Sequence, residues 1–233
     1  MGRNIILYGA ALALVYCTAA CSASSDEAAP SPVESAEAPA TPAALAADTR
    51  LVMAFGDSLY AGYGVKQDES FPAQLEKALS AKGLKVSVRN AGVSGDTTAA
   101  GLQRLAFALD GLPRKPDLVI LGLGGNDMLR GISPDQTQSN LEAMLKELEK
   151  RDIDVVMTGM IAAPNLGQDY AGQFNPIFST LAQQYDAELY PFFLDGVITD
   201  PKLMLPDGIH PNRQGIARVV NQISDMVAAE LKD

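Results

Sequence analysis

The sequence predicts a three-layer α/β/α domain, in which a parallel sheet of about five strands is covered by helices on both faces. Three observations predict it. Short, continuous apolar runs such as Leu51-Val52-Met53-Ala54-Phe55 and Leu118-Val119-Ile120-Leu121 alternate with longer stretches of helical periodicity. The stretches between apolar runs are long enough to hold a helix, which parallel neighbours need as a crossover connection. A chain of 233 residues with 47% hydrophobic composition supplies one well-buried domain once its ends are removed, and is short for two.

In chain order, the apolar run Leu51 to Phe55 reads as the first strand, followed by a helix near Phe71 to Ala81 and a strand from Lys85 to Val88. A helix from Thr97 to Leu109, with Thr97 and Thr98 as candidate caps, leads to the strand Leu118 to Leu121. The segment from Pro134 to Lys150 places Leu141, Met144, Leu145 and Leu148 on one helical face, and the strand Val155 to Met157 follows. After a loop come a helix near Gln173 to Tyr185, a strand from Glu188 to Phe193, a long irregular stretch and a last helix from Arg213 to Leu231. The domain is read as residues 50–233, of flavodoxin-like type. In such sheets the functional site lies beyond the carboxyl ends of the strands.

The chain contains one histidine, His210, in the run Asp207-Gly208-Ile209-His210-Pro211-Asn212. If an imidazole activates a serine here, His210 is the base, because an unperturbed imidazole, with pKa about 6.5, takes a proton near neutral pH. Ser58, in Gly56-Asp57-Ser58-Leu59, follows the first strand where Gly56 permits a tight bend and unpaired backbone N–H groups open a helix. Asp57 or Ser58 is equally suited to cap that helix. Gly95 lies in the turn Gly92-Val93-Ser94-Gly95-Asp96-Thr97, and Asn126 follows Gly124-Gly125, where asparagine is common turn punctuation. Asp207 precedes His210 by three residues, a spacing that lets its carboxylate reach the ring, although the same run also reads as the entry turn of the last helix.

Together these four blocks, in this order and spacing, resemble the SGNH branch of the GDSL hydrolases, within it the bacterial arylesterases and multifunctional thioesterase I/lysophospholipase enzymes. The resemblance covers roughly residues 50–233. It implies Ser58 as nucleophile, His210 as base and Asp207 as the acid that holds the ring's tautomer and stabilises the imidazolium. It further implies an oxyanion hole formed by the N–H groups of Ser58 and Gly95 and the side-chain amide of Asn126; loss of one such donor typically costs about 100- to 1000-fold in rate. The implied activity is hydrolysis of carboxylic esters with aryl or short acyl groups, extending to acyl thioesters and lysophospholipids, through an acyl-enzyme. Two alternatives stand beside it: a carbohydrate O-acetylesterase, and a non-catalytic envelope lipoprotein that binds lipid or glycan.

A Gly-x-Ser-x-Gly elbow is absent, which argues against the α/β-hydrolase fold. No Gly-x-Gly-x-x-Gly, Walker loop or His/Cys cluster appears, so no cofactor and no metal site are expected. Apolar loops surround the expected site: Met128-Leu129, the stretch Met160 to Pro164 that includes Ile161, Leu166, and Leu205. They suit either the walls of an acyl or aryl channel or the core beneath it.

A net charge of −10 and a pI near 4.6 argue against nucleic-acid binding, which rests on Lys and Arg neutralising phosphates. The basic start Met1-Gly2-Arg3-Asn4 and the apolar run Ile5 to Tyr16 have the form of an export signal spanning residues 1–20. The run ends Thr18-Ala19-Ala20-Cys21, which resembles a lipobox and marks Cys21 for lipidation; a plain signal peptide is the alternative. Residues 21–49, rich in Ala, Ser, Pro and Glu, read as a disordered tether. The expected partners are a small-molecule ester or thioester and, through Cys21, a membrane. The expected location is the periplasmic side of the cell envelope, where resemblance to enterobacterial lipoproteins makes Ser22 favour the outer membrane; a monomer is assumed, the sequence leaving the oligomeric state open.

Overall fold

A computed structural model describes residues 45–232. The expected export signal, Cys21 and most of the expected tether lie outside the described residues. Residues 45–49, expected as the end of the tether, approach the domain through a turn at Ala47-Asp48, and Asp48 pairs with Lys85.

Five parallel strands form one sheet: β1 (Arg50–Gly56), β2 (Val86–Gly92), β3 (Leu118–Gly122), β4 (Asp154–Thr158) and β5 (Glu188–Tyr190). Their order is β2-β1-β3-β4-β5. The chain runs outward from β1 to β2, then returns to the other side of β1 to lay down β3. The direction of winding therefore reverses between β1 and β3, the position at which doubly wound sheets open a crevice beyond their carboxyl ends. The helices are α1 (Ser58–Ala61), α2 (Phe71–Ala81), α3 (Thr98–Asp110), α4 (Gly125–Leu129), α5 (Pro134–Lys150), α6 (Gln168–Phe174), α7 (Pro176–Gln184) and α8 (Arg213–Glu230).

Side chains of the central strands alternate between two cores. Val52, Ala54, Leu118 and Ile120 pack on one face with Phe71, Leu75 and Leu79 of α2 and Ile216, Val219 and Ile223 of α8. Met53, Phe55, Val119 and Leu121 pack on the other with Leu105 of α3, Leu141, Met144 and Leu148 of α5, and Phe178 and Leu181 of α7. Strands buried on both faces must be apolar throughout, which is why β1 and β3 read as unbroken hydrophobic runs.

The expected three layers and parallel sheet are present. The helix expected near Gln173 to Tyr185 is two helices, because Pro176 lacks an N–H and sterically opposes the turn before it. The Asn175 side chain at that break accepts from the Ala162 N–H at 2.8 Å. The last strand ends at Tyr190 rather than Phe193, where Pro191 cannot donate to a ladder. Conversely β2 extends to Gly92, past the expected Val88, because Asn90, Ala91 and Gly92 pair in register with Ala54, Phe55 and Gly56. Thr97 caps α3 by accepting from Ala100 N–H, whereas Thr98 turns inward. The helix start expected at Ser58 is the short α1, whereas α4 was not expected, five residues being too few to display a period.

Candidate active site

At the end of β1, a Cβ on Gly56 would run into the Tyr60 ring and the Gly122 carbonyl, so glycine is required where the chain turns into α1. Asp57 caps that helix: its Oδ1 accepts from Leu59 N–H at 3.0 Å, and its carbonyl accepts from Tyr60 and Ala61. The capping role open to Asp57 or Ser58 thus belongs to Asp57. Ser58 is the first helical residue, and its side chain is left to face the loop before α8.

That loop is built by short-range bonds. Leu205 N–H donates to the His210 carbonyl at 2.8 Å, Gly208 N–H to Leu205, and Asn212 N–H to Leu203. Gly208 has φ +67, a left-handed conformation that glycine adopts without strain. Asn212 caps α8 through Oδ1, which accepts from Gln214 and Gly215, while its amide donates to the carbonyls of Lys202 and Met204. One residue therefore fixes both the helix start and the turn that carries His210.

The two segments meet. His210 Nε2 lies 2.9 Å from Ser58 Oγ, and Nδ1 lies 2.7 Å from Asp207 Oδ2. The other Asp207 oxygen accepts from Ile209 N–H at 2.9 Å and His210 N–H at 3.0 Å. With Nδ1–H donated to a carboxylate, the ring presents the Nε2 lone pair to the serine hydroxyl. The His210 backbone N–H, followed by those of Ile209 and the ring, outweighs partial burial and holds the Asp207 carboxyl down to about 2. Its stabilising contribution is complete above the ordinary carboxylate range and is lost as pH falls toward 2. Asp57 behaves oppositely. Burial pushes its carboxyl up to about 6, against the favourable Leu59 N–H, His210 and the Asn126 amide. The folded protein binds that proton more tightly than the unfolded chain, so this residue's contribution to stability declines as pH rises toward 6.

The two remaining blocks are tied to the same edge. Asn126, in α4 after β3, donates through Nδ2 to Asp57 Oδ2 at 3.2 Å and to the Asp96 carbonyl at 3.0 Å. The Gly95 carbonyl accepts from Arg130 at 2.8 Å, and Gly95 has φ +86. Ser58, Gly95 and Asn126 thus sit on three neighbouring strand ends, at the reversal between β1 and β3.

Sequence reasoning assigned no role to the residues that hold these blocks. Arg104 pairs with Asp96 at 2.5 Å, donates to the carbonyls of Ala91 and Gly56 at 2.9 Å each, and lies 4.0 Å over the Phe55 ring. It clasps the carboxyl ends of β1 and β2 to the Gly95 turn. Asp127 is fully buried and accepts from Thr98 N–H at 2.8 Å, Thr98 Oγ at 2.5 Å and Thr137 Oγ at 3.3 Å, joining α4 to α3 and α5. Both lie near the quoted blocks, but neither the register of Arg104 nor the partners of Asp127 can be read along the chain. Asp127→Ala leaves the buried Thr98 N–H and hydroxyl without their acceptor, with Thr137 Oγ keeping only the Ser133 carbonyl, and lowers stability by about 3 kcal/mol. Thermal denaturation then shows a Tm about 6–12 °C lower; a change within 1–2 °C, roughly the effect of a neutral surface substitution, contradicts this role.

The apolar residues expected around the site divide. Leu129 and Ile161 are exposed, at 55% and 48%, and Pro164 is exposed, so these are available to a substrate. Met128 is buried in the second core, where its sulfur accepts from Ala163 N–H at 3.1 Å. Leu166 packs against that same core, and Leu205 lies over Gly64. The core reading thus describes Met128 and Leu166, whereas Leu129, Ile161 and Pro164 stand at the surface, because a short loop must bury part of itself to be held.

The family model of GDSL-like lipase/acylhydrolases matches residues 54–218. The chain is similar to an arylesterase of Vibrio mimicus, 41% identical over 180 residues that cover 77% of this chain and 87% of the relative. It is also similar to thioesterase 1/protease 1/lysophospholipase L1 of Escherichia coli, 39% identical over 170 residues, or 73% and 78% of the two chains. Among solved structures, AlinE4, an SGNH-hydrolase family esterase, is 49% identical with a TM-score of 0.68, over 79% of this chain and 98% of that one. Taken with the parallel sheet and the four blocks assembled at its edge, these matches make the chain a member of the GDSL-like lipase/acylhydrolase family.

Proposed function

We propose that this protein is a serine hydrolase of carboxylic esters, with Ser58 as nucleophile, His210 as general base and acid, and Asp207 as the residue that orients the ring. The observation that carries the reading is the continuous relay from Asp207 through His210 to Ser58, at 2.7 and 2.9 Å. As Ser58 Oγ bonds to the ester carbonyl carbon, its proton passes to Nε2, and the carbonyl oxygen takes up negative charge. Ser58 N–H, Gly95 N–H and the Asn126 amide are the donors proposed to receive that charge. The Asn126 amide already spans Asp57 and the Asp96 carbonyl, so it exchanges one of these acceptors for the oxyanion. Collapse breaks the carbon–oxygen bond to the leaving alcohol, which takes the proton back from Nε2. Water then repeats the sequence on the acyl-enzyme: it loses its proton to Nε2 as it adds, and Ser58 Oγ regains that proton as the acid leaves.

The aryl, short-acyl, thioester and lysophospholipid substrates belong to this proposal, by analogy with the arylesterase and thioesterase/lysophospholipase relatives. A fluorophosphonate probe should form an adduct at Ser58 in the folded protein, and hydrolysis of p-nitrophenyl esters from acetate to palmitate should give the preferred chain length. Folded protein that neither takes the label nor hydrolyses any of the series refutes the reading.

We also propose that the protein is exported and anchored by lipid at Cys21, on the residues Thr18-Ala19-Ala20-Cys21 that follow the apolar leader. Metabolic labelling with a radiolabelled fatty acid should mark the wild type and leave Cys21→Ser unmarked; equal labelling of both excludes this anchor.

A further inference from the structure

The turn that leaves α1 reaches back to the proposed base. Gly62, with φ +86, ends the helix, and Tyr63 N–H donates to the Ser58 carbonyl at 3.2 Å. The Tyr63 ring then stands 4.3 Å from the His210 imidazole, centroid to centroid, at 32° between planes. Next along the chain, Gly64 lies directly beneath Leu205, the residue whose N–H holds the His210 carbonyl. The residues from Tyr63 to Gly64 therefore touch the His210 loop twice while remaining bonded to the nucleophile's own peptide.

Core packing does not account for this ring, because Tyr63 is 52% exposed. Among the described residues its hydroxyl has no protein hydrogen-bond partner, so a polar anchor does not account for it either. What the ring offers is a flat wall against one face of the imidazole, with the negative face of a π system toward a group that becomes cationic during reaction.

We infer that Tyr63 is a positioning residue for His210: its ring limits the imidazole to the orientation that keeps Nε2 on Ser58 Oγ, and its face stabilises the imidazolium formed as the serine is deprotonated. This rests on the reading of Ser58 and His210 as nucleophile and base. The titratable groups that face the ring are Asp207 from its own loop, and Asp57 and the Tyr63 phenol from the segment after β1. Removing Tyr63 leaves the Asp207 contact to the ring in place, so its effect is partial.

The test compares Tyr63→Leu and Tyr63→Phe with wild type in the full-length protein, measuring kcat and KM for p-nitrophenyl acetate from about pH 5 to 9. In Tyr63→Leu, kcat should fall about tenfold with KM changed less than about twofold, and the acid limb of kcat/KM should move about half a pH unit lower. Tyr63→Phe, which keeps the ring, should restore both. The inference is overturned if the leucine variant keeps wild-type kcat and acid limb, if phenylalanine is as impaired as leucine, or if only KM changes. Fluorophosphonate labelling of Ser58 separates the two levels. Absence of label and of hydrolysis in wild type removes the reading of the site and this inference with it, whereas intact labelling with an unaltered leucine variant removes the inference alone.

Discussion

Replacing Ser58 by alanine should lower kcat for an ester substrate on the order of a million-fold, with KM changed little. Ser58 Oγ is the atom 2.9 Å from His210 Nε2, within reach of the proposed base. The exposed side chains of Leu129 and Ile161, proposed as walls that bind the substrate, are left intact by the substitution. The variant should fold normally, because the helix cap is Asp57 and the Ser58 side chain makes no bond that holds α1 in place. Fluorophosphonate labelling should disappear with activity. Adding His210→Ala to Ser58→Ala should cost little further rate, since each residue acts only through the other. Steady-state kinetics on the two single variants and the double variant would check this. A loss in the double variant equal to the product of the single losses would mean that Ser58 and His210 do not work as a unit.

Asp207→Asn should cost about 10⁴-fold in kcat, a large effect for the exchange of one oxygen for one nitrogen. The asparagine carbonyl can still accept from the Ile209 and His210 N–H groups at the position of Asp207 Oδ1, so the loop keeps its shape. Its amide, however, donates toward Nδ1 where the carboxylate accepted. The ring then carries its proton on Nε2, and the lone pair needed to deprotonate Ser58 is gone. Asp207 is held ionised down to about pH 2, so this replacement changes charge as well as tautomer at every pH where the imidazole titrates. The check is kcat/KM together with the ¹H NMR resonance of the His210 Nδ1 proton in the wild type, which the variant should lack. A decrease under tenfold would remove Asp207 from the proposed relay. The same measurement across the pH range separates Asp207 from Asp57, whose buried carboxyl titrates near 6 and lies on the Asn126 side of the site.

What could be read along the chain was whatever is encoded within a few residues. Leu51 to Phe55 and Leu118 to Leu121 are unbroken apolar runs because β1 and β3 are covered on both faces, and with their alternation with helical stretches they predict a parallel sheet. Asp207 and His210 could be paired from their spacing because the turn that joins them is local. Where pairing across the chain competes with local preference, the sequence misled. Asn90-Ala91-Gly92 has the composition of a turn yet lies in β2, since β1 offers it a full ladder of partners.

The sequence by itself determined the layered α/β/α class, the family and the identity of the one possible imidazole base, because composition, local period and four ordered motifs are properties of contiguous residues. Only the tertiary structure decided that Asp57 caps α1 while Ser58 faces His210, that Arg104 clasps neighbouring strand ends and Asp127 joins α4 to α3 and α5, and that the Tyr63 ring lies tilted against the imidazole. Apart from the Asp57 cap, a bond between residues two apart, these depend on the approach of segments distant in the chain. The winding reversal between β1 and β3 sets that approach, and no local preference encodes it.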